Sequence, residues 1–150
     1  MTTRRTFEFR QIGVIHSPYK NHRDMPIQAS RSSAIGEIEV FEEYEKGLKD
    51  VEGFSYILIV YLFHKSRRAS VLVKPFLDDV LRGVFATRSP NRPNWIGLSP
   101  VELLERCGNI LRVAGVDVVE GTPLLDIKPY VPQFDVRESV RIGWLESRLK

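Results

Sequence analysis

Apolar and polar positions alternate along this chain in short runs separated by turn-forming residues. Residues 9–17 set Phe9, Ile12, Val14 and Ile15 among Gln11 and His16 and end at Ser17-Pro18, which predicts a strand. Residues 35–41 alternate more cleanly, with Ile35, Glu37, Glu39 and Phe41 around Ile38 and Val40. Helix formers over residues 42–48, ending at Gly47-Leu48, predict one or two helical turns. The run FSYILIVYLFH, residues 54–64, is the most apolar and is rich in aromatic and branched side chains, as a buried central strand would be. Residues 71–75 predict a short extended segment. VELLER and ILRVAGVDVV flank Cys107-Gly108-Asn109 as the arms of a hairpin, and a turn over residues 119–123 leads into a strand over 124–130. Over residues 135–150, Val136, Val140 and Trp144, with Leu145 and Leu149, fall on one helical stripe interrupted by Gly143.

Many short strands and few helices predict an all-β-dominated fold: one β-barrel domain spanning residues 1–150, with short peripheral helices and a C-terminal helix. No G-x-G-x-x-G follows a strand and strands do not alternate with helices, so the usual doubly wound nucleotide-binding fold is not supported. Two stretches stand outside the alternation. Residues 19–34 show no periodicity and are long for a plain connection. Residues 82–103, RGVFATRSPNRPNWIGLSPVEL, open and close as strands around a middle in which Pro90, Pro93 and Pro100 lack amide donors and restrict the residues before them. Such a loop is stiff and holds Arg88, Ser89, Asn91, Arg92 and Asn94 near fixed positions, as a binding loop would; joining two strands is the plainer reading.

Composition narrows the class. With 150 residues, 43% hydrophobic and 27% charged, the chain can bury a core and is neither disordered nor membrane-spanning in composition. The polar start MTTRRTFEFR lacks a secretory signal, so the expected location is cytoplasmic, away from membranes. A single cysteine, Cys107, forms no internal disulfide and reads as a small, buried or half-buried hydrophobe beside a turn; no Cys/His spacing predicts a metal site. A net charge of +3 permits nucleic acid without requiring it. Basic residues are clustered, at Arg4-Arg5, His22-Arg23, His64 to Arg68, and Arg82, Arg88 and Arg92. If these clusters meet on one face, they form a footprint for phosphate; if they scatter, they are solvated surface.

FATRSPNRPNWIGLSPVELL, LLDIKPYVP, FRQIGVIHSPYK and FSYILIVYLFH together resemble the TsaA-like, TrmO-type family. The resemblance runs in order over residues 9–132, with Trp95 where the family most often has proline. It implies a β-barrel that dimerises and an S-adenosylmethionine-dependent methyltransferase for threonylcarbamoyladenosine in the tRNA anticodon loop. The chain stops at Lys150, and no additional C-terminal domain of the kind found in many bacterial members is expected. By the resemblance, Gln28, Ala29, Ser30, His64, Lys65, Arg88 and Leu98, with Asp117, Glu120, Gly121 and Thr122, line the donor pocket.

Methyl transfer from a sulfonium is an in-line displacement that asks chiefly for positioning, so the lack of a nucleophile or metal motif suits it. Arg88 is the leading candidate to clamp the donor carboxylate, because its planar fork binds bidentately. Asp126 or His64 could take the proton from the acceptor nitrogen; Asp126 bracing the loop by pairing with Lys128 or Arg92 is the alternative. Arg67, Arg68, Asn91, Arg92, Asn94 and Lys128 are candidate RNA contacts, and Tyr130 could stack on a base. Two readings compete: methyl transfer to another RNA or a small molecule, and a non-enzymatic module binding RNA or a nucleotide.

Overall fold

The computed structural model describes residues 2–21, 25, 33–76 and 78–149. Its centre is a closed six-stranded antiparallel barrel built from β1 (Gly13–His16), β2 (Ile35–Val40), β3 (Tyr56–Leu62), β6 (Ile96–Cys107), β7 (Ile110–Ala114) and β8 (Thr122–Pro129), in the order β1-β2-β7-β6-β3-β8. The remaining strands, β4 (Leu72–Val73) and β5 (Arg82–Gly83), pair as a small arm outside it. Closure leaves no barrel edge exposed. Alternation along each strand then decides burial: Ile57, Ile59 and Tyr61 of β3 point inward and meet Ile15, Ile38, Val101, Leu111, Val113 and Leu124 in one core.

Antiparallel order also sorts the connections. Strands β1, β3 and β7 end, and β2, β6 and β8 begin, at one mouth of the barrel. The opposite end holds the tight β6–β7 hairpin and the 3₁₀ turns Glu42–Leu48 and Val51–Gly53. The connections from β1 to β2 and from β3 to β6 therefore start and finish at the first mouth, which they share with the short link from β7 to β8. A bulge falls in β8: Val60 pairs with Asp126 and Tyr61 with Leu124, leaving Leu125 as the extra residue.

Two expectations are corrected. The stripe over residues 135–150 does not form one helix; it gives a four-residue helix, α1 (Pro132–Asp135), and a 3₁₀ turn, Gly143–Ser147. Ser139 and Gly143 have φ of 54° and 60°, which no right-handed helix accepts, and Val136 and Val140 stay exposed. Side chains anchor the segment instead. Trp144 Nε1 donates to the Ala86 carbonyl at 2.8 Å, Arg82 lies over the Trp144 ring, and Asp78 pairs with both Arg82 and Arg148. Those pairings, Arg82 first, hold the Asp78 carboxyl well below the usual carboxylate range. Cys107 is the second correction, exposed rather than tucked beside its turn.

Candidate functional site

At the loop-bearing mouth, a cleft of about 460 Å³ runs down the outer side of β6. Leu98, Pro100 and Glu102 face outward from that strand and form its floor, Tyr56 of β3 borders it, and Arg88 overlooks it from the proline-rich loop. Chain leaving β7 turns at Gly115 and brings Asp117 to its inner wall. A smaller recess beside it is lined by Tyr61, Phe63, His64, Lys65, Val118, Val119 and Thr122; Asp117 lines both.

Asp117 is the electrostatic centre of this arrangement. Ser99 Oγ donates to its Oδ1 at 2.8 Å, and the Tyr61 hydroxyl lies 2.8 Å from the same Oγ. Burial pushes the Asp117 carboxyl above the usual range, opposed by the Ser99 hydrogen bond, its own backbone amide and the Arg88 charge. Tyr61 is pushed far above an ordinary phenol by burial and by Asp117. Its side chain remains a proton donor throughout the working pH range.

Two basic loops are joined beside the cleft. Ser66, 7% exposed, sets its Oγ 3.0 Å from both the Pro90 carbonyl and Asn91 Oδ1, and Trp95 Nε1 donates to the Arg68 carbonyl at 2.8 Å. Arg92 donates to the Thr87 and Ser89 carbonyls and holds the loop's own shape, while Arg67 donates to the His64 and Ser66 carbonyls. Exposed Arg68, Arg88 and Asn94 are thus carried on connected supports.

Other sequence candidates lie elsewhere. Gln28, Ala29 and Ser30 fall outside the described residues. Asp126 pairs with Lys128 at 3.1 Å and accepts from the Ile127 amide at 2.9 Å. Register places Leu98, Val60 and Asp126 side by side across β6, β3 and β8, so Asp126 sits about two strand spacings, roughly 10 Å, from the cleft floor. Tyr130 packs edge-on against Tyr56 at the cleft border. Gly121 shapes the turn between the recess residues Val119 and Thr122.

Glu120 serves a clamp. Its carboxylate accepts from the Ser17 amide and lies 3.0 Å from His16 Nδ1, while Glu39 lies 3.0 Å from His16 Nε2. Donating to two carboxylates requires a proton on both ring nitrogens, so the clamp is complete only with imidazolium. The Glu39 and then the Glu120 hydrogen bonds raise His16 above its ordinary 6.5. This stabilisation is full below 6.5 and is lost as pH rises through the higher folded value. The melting-temperature advantage of wild type over His16→Gln should therefore be present near pH ~6 and disappear by about pH 9. An advantage that grows with pH would contradict the clamp.

Sequence reasoning did not single out Tyr61, Ser99 or His16. One signal was present for Ser99: it is a hydroxyl between Gly97 and Val101 on the inward face of an alternating strand. His16 carried none, since its partners are 23 and 104 positions away.

Comparison with known proteins gives a concordant result. Residues 14–136 match the family profile of the tRNA-methyltransferase O N-terminal domain. A probable S-adenosyl-L-methionine-binding protein of Pyrococcus abyssi is 58% identical over 142 residues, 94% of this chain and 77% of that protein. The tRNA (adenine(37)-N6)-methyltransferase of Escherichia coli is 41% identical, over 85% of this chain and 59% of the enzyme. A crystal structure of TrmO from Pseudomonas aeruginosa superposes with a TM-score of 0.79 at 33% identity, covering 96% of this chain and 63% of that one.

Proposed function

Because the chain belongs to the family of the tRNA-methyltransferase O N-terminal domain, we propose that it is an S-adenosylmethionine-dependent methyltransferase acting on the N6 position of an adenine in tRNA, and that this adenine carries the threonylcarbamoyl group. The observation that carries the reading is one cleft bordered by a cation and an anion, Arg88 and Asp117, with basic loops fastened beside it. The residues suit the donor. Its volume is within the range of nucleoside-sized sites. Arg88 can take a carboxylate, Asp117 a cationic group, and Leu98 and Pro100 supply an apolar wall. When bound, the donor supplies a methyl carbon activated by positive sulfur.

The protein's own work is positioning and charge management. Arg88 and Asp117 sit on different supports and meet opposite charges, which orients a zwitterionic ligand rather than merely attracting it. Exposed Arg68, with Arg67 beside it, offers charge to the phosphates flanking the acceptor base. Of the two side chains considered for taking the acceptor's proton, His64 lines the recess next to Asp117, whereas Asp126 is across β3 and engaged by Lys128. Tyr130, leaning on Tyr56, offers a ring face to an unstacked base. A homodimer with cytoplasmic residence completes the proposal, consistent with the family resemblance.

Titration calorimetry with S-adenosylmethionine tests the donor site. Wild type should bind saturably, and Arg88→Ala should weaken binding by about 1.5–3 kcal/mol, toward the lower end because Arg88 is exposed. Methyl incorporation into tRNA bearing the threonylcarbamoyl group, against tRNA lacking it, then tests the acceptor. Saturable donor binding with no incorporation into either tRNA would point to the small-molecule or binding-module reading.

A further inference from the structure

We infer that Tyr61 and Ser99 are positioning residues: a hydrogen-bond relay from the barrel interior that holds the Asp117 carboxylate, ionised and correctly turned, toward the cleft. This rests on the donor-site reading above and extends it to two side chains inside the barrel. Tyr61 and Ser99 are 4% and 3% exposed; Ser99 lines the cleft and Tyr61 the recess beside it, but both hydroxyls are engaged in the chain of hydrogen bonds that ends at Asp117.

The direction of the relay follows from counting protons. Ser99 has one hydroxyl proton, and an ionised Asp117 can only accept it. Ser99 Oγ must then accept from Tyr61, whose phenol stays protonated in this setting. The relay is therefore polarised one way, from Tyr61 to Ser99 to Asp117, and its far end is a carboxylate. One Asp117 oxygen is committed to Ser99, which restricts the rotation of the group. The supports are rigid: Ser99 is registered against Ile59 in the β3–β6 ladder, and Tyr61 packs edge-on against Phe63 at 5.4 Å. A carboxylate drawn partly from water needs such donors to stay charged.

Other titratable groups border the site: Arg88 and Glu102 line the cleft with Asp117, and His64 and Lys65 line the recess. They are shared by wild type and by variants of the relay. A difference between two pH profiles therefore isolates what Tyr61 and Ser99 do to Asp117.

The test is S-adenosylmethionine affinity measured by calorimetry between about pH 4.5 and 7, below the titration of the donor's own amino group. Wild-type affinity should rise with pH as Asp117 ionises. Ser99→Ala removes the donor to the carboxylate, so its profile should move up by about one pH unit, with a roughly tenfold loss on the acidic side that narrows toward pH ~7. Tyr61→Phe, which keeps the ring and leaves Ser99 without its donor, should move the profile the same way by less. If both variants lose affinity equally at every pH, or lose thermal stability with the profile unmoved, the two residues are only core and the inference fails. A wild-type affinity flat across this range would overturn the role of Asp117 itself, and the relay with it.

Discussion

Replacing Gly97 with alanine should cost the protein both its stability and its donor site. Gly97 is registered opposite Tyr61 on the inward face of β6. A Cβ there would fall 2.3 and 2.6 Å from two carbons of the Tyr61 ring and 2.9 Å from the Phe63 ring. Neither ring has an easy retreat, because they are packed edge to edge and Tyr61 is tethered through its hydroxyl to Ser99. Overfilling a packed core costs about 1–3 kcal/mol and occasionally more. For a domain of this size that corresponds to a fall of about 3–10 °C in melting temperature. The steric load falls on Tyr61, so S-adenosylmethionine affinity should drop with the melting temperature. Gly47→Ala is the matched control: a Cβ there meets nothing within 4 Å, so its melting temperature should hold or rise by about 1–4 °C. Gly97→Ala with wild-type melting temperature and affinity would mean that the ring pair is looser than its packing indicates.

Asp117→Asn should be the most damaging conservative substitution in the cleft. The amide keeps the shape of the carboxylate and removes its charge, while the Tyr61–Ser99 pair stays buried beneath it. Losing one member of a partly buried charge pair costs about 2–4 kcal/mol, or roughly thirty- to a thousand-fold in donor affinity. Stability should move the other way. Burial raises the Asp117 carboxyl above its unfolded value, so the ionised group works against folding as pH rises through the folded value. The apo variant should therefore match or exceed wild type in melting temperature near neutral pH. Asp126→Asn separates this account from the one suggested by motif position. With Asp126 on the surface and engaged by Lys128, its substitution should leave donor affinity unchanged. Strong loss of affinity in Asp126→Asn, with Asp117→Asn unaffected, would transfer the role to Asp126.

The placement of these carboxylates shows where sequence reading succeeds and stops. Asp126 sits in a conspicuous motif, DIKPY, and was a natural candidate for proton transfer. Asp117 lies in the plainer run VAGVDVVEG, and its place among the candidates came from the family resemblance. The bulge at Leu125 and the turn at Gly115 set where the two groups stand, and neither leaves a clear mark in residue pattern. The C-terminal stripe erred for a related reason. Spacing by four suits a helix only if a surface is available to bury the stripe, and here Trp144 and Arg148 find partners at Ala86, just after β5, and at Asp78, between β4 and β5, instead.

Strand identity, the inward and outward faces, the hairpin at Gly108 and the irregular backbone of the proline-rich loop were all legible along the chain. Each depends on neighbours within a few residues: side chains alternate with a period of two, and proline restricts only itself and the residue before it. Even the gathering of long connections at one mouth follows once the strands are taken as antiparallel neighbours. Closure and register decided the rest. They brought Ser99 to Asp117 across 18 positions, Ser66 to Asn91 across 25 and His16 to Glu120 across 104. Hydrogen bonds act over about 3 Å, so no local pattern could specify those meetings before the barrel had closed.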